Sequence, residues 1–116
     1  MKVDALNANI LFTIAALLGV VLANRRMREQ PLPTWPALFH GGLAIAGLVA
    51  LIMAMVKSGL QARVPLALFI IASIGGFVLF AFHLQHRLIP VALMLVHAGV
   101  AVLALLLLLL RTHAEG

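Results

Sequence analysis

Two histidines, His40 and His97, lie near the start of long apolar runs, each seven residues after a proline, Pro33 and Pro90. An imidazole carries a ring N–H donor, a ring nitrogen acceptor and a titratable proton. Left unpartnered in hydrocarbon it is costly, so an ionisable side chain within such a run marks a functional position by default. The chemistry open to the pair is ligation of a metal centre, hydrogen bonding between helices, or both.

The two histidines are copies of each other. Pro33 to Leu48 (PTWPALFHGGLAIAGL) and Pro90 to Leu105 (PVALMLVHAGVAVLAL) align without a gap at an offset of 57 residues, with six of sixteen positions identical. The same offset aligns Ile10 to Leu22 with Ala67 to Leu79, where Leu11, Phe12, Ile14, Ala15, Gly19, Val21 and Leu22 recur. A gapless match across both stretches points to an internal duplication, which is sought first because missing it misreads a fold. The expected halves run from about 7–56 and 64–113.

Of the 116 residues, 65% are apolar and 9% charged. Runs of about 18 or more apolar residues read as membrane-spanning helices, since about 20 residues cross a ~30 Å hydrocarbon core. Four runs qualify or come close: about Asn9 to Ala23, Trp35 to Val56, Val64 to His83 and Leu88 to Leu110. The expected fold is all-α: one integral-membrane four-helix bundle over 1–116, built from two tandem two-helix repeats with a pseudo-twofold axis along the membrane normal. The start of the chain has signal-peptide features, but Arg25, Arg26 and Arg28 follow at once and the segment matches the third run, so it reads as structural.

Four spans place both termini on one side, here side A, and the first and third loops on side B. Pro36, Pro65 and Pro90 suit helix starts, where the missing N–H is no loss. Lys2, Lys57, Arg63 and Arg111 fall on side A, and Arg25, Arg26, Arg28 and Arg87 on side B. The counts are equal, and the denser cluster in the first loop favours side B for the cytoplasm. The net charge of +5 thus sits where phospholipid headgroups lie, a lipid bilayer being the partner it implies rather than nucleic acid. There are no cysteines, which excludes disulfides, thiolate metal sites and covalent haem attachment through Cys-x-x-Cys-His.

Under the proposed axis His40 and His97 face each other at one depth, about five to nine residues or roughly 8–13 Å inside their helices. Bundles build cofactor sites from side chains on facing helices, and haem iron takes axial histidines. The expected site is one bis-histidine haem b. Ala44 and Gly47 follow His40, and Ala101 and Ala104 follow His97, as smooth stripes on the same faces. Gly19 and Gly76 offer clearance on the first and third helices, Phe12 and Phe69 could pack against a flat ring, and Arg26 and His83, at matching positions, are the expected neighbours of the propionates. His83 is otherwise grouped with His86 and His113 as interfacial. Copper or zinc could use the histidine pair, but two nitrogens make an incomplete site. Met94 could be a third ligand, yet its counterpart is Ala37. Small-residue stripes also serve plain helix packing.

The P-x6-H-x-G-x-A of both copies and the four-helix layout resemble small membrane-embedded b-type cytochromes, the ascorbate-reducible group and its bacterial relatives. The resemblance implies a b-haem moving single electrons to or from a quinone or a partner redox protein, in a multi-pass protein of the bacterial inner membrane, with a homo-oligomer allowed. Two-haem members of that group carry two histidine pairs, and here one is visible. The alternatives are a small transporter and a non-catalytic accessory or assembly subunit. The size suits the small multidrug exporters, but Asp4, Glu29 and Glu115 all lie outside the apolar runs. No nucleophile–base set, phosphate loop or carboxylate pair suggests a self-contained enzyme.

Overall fold

The computed structural model describes residues 3–115, which form four helices: α1 (Val3–Met27), α2 (Thr34–Ser58), α3 (Arg63–Leu84) and α4 (Val91–Glu115). Each is long and apolar enough to cross a membrane, as their apolar length requires. Lys2, assigned to side A, lies outside the described residues. Consecutive helices are antiparallel and joined by the short segments 28–33, 59–62 and 85–90. Around the bundle α1 touches α2 and α4, and α3 touches the same two. So α1 and α3 face across one diagonal, and α2 and α4 across the other.

α1 runs well beyond the expected Asn9 to Ala23 at both ends. Its early polar residues lower the local hydropathy but do not break the helix, and Asn9 and Thr13 find partners. Asn9 is buried and its Nδ2 donates to Thr112 Oγ1 on α4 at 3.0 Å. Thr112 in turn donates back to its own helix at Leu108 and Leu109, and Thr13 donates to the Asn9 carbonyl. α4 starts at Val91, one residue after Pro90, whose carbonyl accepts the Met94 N–H. α2 ends at Gly59, whose φ of 71° is the left-handed cap that lets its N–H reach the Ala54 carbonyl.

The packed core sits in the half of the bundle nearest side A, around Ala8, Phe12, Leu51, Phe69, Ala104 and Leu108. Phe12 and Phe69 stack across the α1–α3 diagonal, ring centres 3.7 Å apart and planes within 4°. Gly47 makes room for this: a methyl group there would stand 2.9–3.0 Å from the Phe12 ring. Elsewhere large apolar side chains point outward: Leu17, Val20, Ile74 and Leu110 are all well exposed. In water such a surface would be an aggregation liability, whereas facing acyl chains it is what a membrane helix presents.

Gly47→Ala is expected to lower stability by about 1–3 kcal/mol, the usual cost of overpacking, because Phe12 is pinned by its stack and cannot yield. Gly42→Ala, where a methyl group meets nothing within 4 Å, is expected to be neutral or slightly stabilising. Thermal unfolding in detergent separates the two, and equal midpoints would contradict the packing described.

Candidate functional site

The two histidines occupy the other diagonal. His40 stands in the second turn of α2 and His97 in the second turn of α4, both half-buried. Their ring centres are 6.2 Å apart and their planes lie at 84°. Each ring is anchored to the helix that precedes its own. His40 Nδ1 lies 2.7 Å from the Ala15 carbonyl oxygen, and His97 Nδ1 lies 2.7 Å from the Ala72 carbonyl oxygen. A carbonyl can only accept, so both Nδ1 atoms carry the proton. The Nε2 of each ring is thereby the nitrogen with a lone pair, the arrangement that metal-binding histidines use.

Glycines make the anchoring possible. A methyl group at Gly19 would stand 3.0 Å from His40 Cε1, and one at Gly76 would stand 3.2 Å from His97 Cε1. Both contacts are tight enough to push the ring away. Ala44 and Ala101 lie about one turn further along the same faces, half-buried. Gly47 and Ala104 lie deeper, in the packed core, where Gly47 serves the Phe12 ring. Phe12 and Phe69 stack on each other, so their stack floors the histidine level from the side A direction.

At the B end the expected carboxylate neighbours do share one cavity. Arg26 and His83 line an opening of about 440 Å³ together with Glu29, His86 and Arg87. Arg26 Nε donates to the Ile89 carbonyl at 2.7 Å, tying α1 to the start of α4, and His83 Nε2 lies 2.9 Å from Thr34 Oγ1, tying α3 to the start of α2.

Two features were not read from the sequence. The carbonyls of Ala15 and Ala72 are backbone groups, and their only signal was that both alanines recur at the offset, each four residues before a recurrent glycine. The second is the pair of helix endings at the B end. Glu29 and His86 have φ of 56° and 55°, and three bonds around Glu29 (Arg28 N to Asn24 O, Glu29 N to Arg26 O, Gln30 N to Arg25 O) recur 57 residues on around His86.

Among the described residues no three His, Asp or Glu side chains converge as a metal site. A bare zinc or copper ion would therefore have only the two ring nitrogens from these side chains, too few for its usual coordination. Two histidines are the side-chain donors that a bis-histidine haem would take from a protein.

Compared with known proteins, the chain matches no family model, no curated protein and no solved structure. The chemistry of the site is read from its own residues.

In uniformly 15N-labelled protein, nitrogen shifts and couplings are expected to show Nδ1–H tautomers for His40 and His97. Gly19→Ala is expected to shift the His40 signals and leave those of His97 largely in place, and Gly76→Ala the reverse. Nε2–H tautomers in the unmutated protein would contradict the assignment.

Proposed function

We propose that this chain is a multi-pass protein of the bacterial inner membrane that binds one haem b through His40 and His97 and passes single electrons, with a quinone or a partner redox protein as the other party. The observation that carries this reading is the pair of Nδ1-anchored imidazoles facing each other across the bundle at 6.2 Å.

The reading includes a pseudo-twofold axis along the membrane normal, relating two tandem helix pairs. The contacts of His40 with Ala15 and Gly19 recur for His97 with Ala72 and Gly76 at the offset of 57. Two further contacts, His40 with His97 and Phe12 with Phe69, join equivalent residues to each other. A contact of that kind can form only on the axis itself. The match lapses where the ends differ: the equivalents of Asn9 and Thr112 are Leu66 and Met55, and the equivalent of Arg26 is His83.

When bound, haem b supplies a one-electron iron couple. The chain's own residues would do the following. His40 and His97 would each offer Nε2 as a ligand. The carbonyls of Ala15 and Ala72 hold the ring orientation and raise ligand basicity, as second-shell acceptors do. Gly19 and Gly76 keep the rings close to α1 and α3, and Ala44 and Ala101 keep the adjoining faces low. Gly47 and Ala104 let the Phe12–Phe69 floor pack beneath. Arg26 and His83 present donors to the haem carboxylates at the B end.

Plain packing is the competing use of the same hydrogen bonds, and it leaves the protein colourless. The discriminating measurement is an absorption spectrum of detergent-purified protein, oxidised and dithionite-reduced, for wild type, His40→Ala and His97→Ala. A sharp Soret band with split reduced visible bands is expected, lost or converted to a five-coordinate form in either variant. A wild type that stays colourless after haem reconstitution sinks the proposal.

A further inference from the structure

The cavity at the B end holds more basic side chains than Arg26 and His83. We propose that its outer part binds the phosphate of an anionic phospholipid, with Arg87 and His86 as the contacts. These two residues lie about one turn beyond His83, in the 85–90 segment, so the lipid and the haem carboxylates do not compete for the same groups.

The outer groups are held in place before any ligand arrives. The Arg87 guanidinium lies over the Phe82 ring, 4.9 Å from its centroid. Such stacking fixes the plane of the guanidinium while leaving its edge N–H groups for an anion. His86 projects from a left-handed backbone position, as does Glu29 across the same cavity. A glycine would make either bend without strain. Both bends are helix endings closed by backbone hydrogen bonds, which fix the direction in which each side chain leaves. Among the described lining residues Glu29 is the one carboxylate, set against two arginines and two histidines.

The remaining lining residues choose a lipid over a free anion. Apart from Gln30 these are aliphatic, Leu32, Leu88 and Ile89, and Leu88 is 77% exposed although it adjoins Arg87. Leu84 and Met27 are exposed at the ends of the neighbouring helices. A basic opening rimmed by outward aliphatic side chains at the end of apolar helices matches a headgroup above and acyl chains beside it.

The test is native mass spectrometry of the detergent-purified full chain titrated with phosphatidylglycerol or phosphatidylcholine of identical acyl chains. Arg87→Gln and His86→Gln are the variants, and Arg111→Gln at the opposite end is the charge-matched control. Wild type is expected to prefer phosphatidylglycerol, and Arg87→Gln to lose about fivefold in affinity, the factor set by about 1 kcal/mol per interfacial cation. Arg111→Gln is expected to keep the preference. Should Arg87→Gln not fold, His86→Gln carries the test with a loss in the same direction. Equal binding of the two lipids by wild type overturns the proposal, as does the same loss in Arg111→Gln. Displacement of phosphatidylglycerol by an equal concentration of inorganic phosphate also overturns it, in favour of a free-anion site. The readout does not depend on colour, so it stands or falls apart from the haem assignment.

Discussion

An imidazole N–H in an apolar interior must find an acceptor, and here the available acceptors are carbonyls already engaged within helices. The Ala15 carbonyl lies one helical turn before Gly19 in α1, and the Ala72 carbonyl one turn before Gly76 in α3. On a helix the side chain four residues on normally overhangs that oxygen. Removing the side chain at residues 19 and 76 uncovers it, and a histidine from the neighbouring helix can then share it. One hydrogen bond of 2.7 Å per pair thus sets the close approach of α1 to α2 and of α3 to α4. It also sets which ring nitrogen is left for a ligand. Hydrogen bonds between membrane helices contribute about 0.6 kcal/mol on average, so the effect of these two is more on geometry than on stability.

The two ends of the bundle are built on different physics. Toward side A the helices interlock through Phe12, Leu51, Phe69 and Leu108, with the buried Asn9–Thr112 bond closing the α1–α4 seam. That seam has no connecting loop, whereas α2 and α3 are joined there by residues 59–62. Toward side B fewer large side chains are buried, and the seams are held by polar bonds, Arg26 to Ile89 and His83 to Thr34. Packing of large apolar side chains resists opening more than scattered polar contacts do. The rigid half therefore acts as a base on which the histidine half is positioned.

Much of this arrangement was legible in the sequence, because the offset of 57 sorts single residues into matched pairs. The four apolar helices followed from composition, and the offset of 57 paired His40 with His97 and Gly19 with Gly76, though it did not say that the glycines would lie against the histidine rings. A match in sequence alone does not give the distance between the matched side chains. Phe12 and Phe69 were seen as a pair, but nothing in their spacing said they would stack on each other rather than against a flat ring. The reach of α1 to Val3 and Met27 was hidden because Asp4, Asn7 and Asn9 interrupt the hydropathy, and hydropathy does not register that Asn9 finds Thr112 on α4. Backbone carbonyls have no side-chain signature at all, so the acceptors at Ala15 and Ala72 emerged only with the fold. Glu29 and His86 likewise read as loop residues, since nothing in their type announces a left-handed bend.

The histidine diagonal also bears on how the molecule is made. His40 belongs to the first helical hairpin and His97 to the second, so each hairpin brings one imidazole to that contact. A ribosome-bound intermediate that has inserted only α1 and α2 offers one nitrogen and an open flank to lipid. Any ligand gripped by both rings can be captured only after the second hairpin has entered the membrane and docked. Once captured, it staples the two hairpins at the end where apolar packing is thinnest. Retention of such a ligand would then report completed insertion of both hairpins.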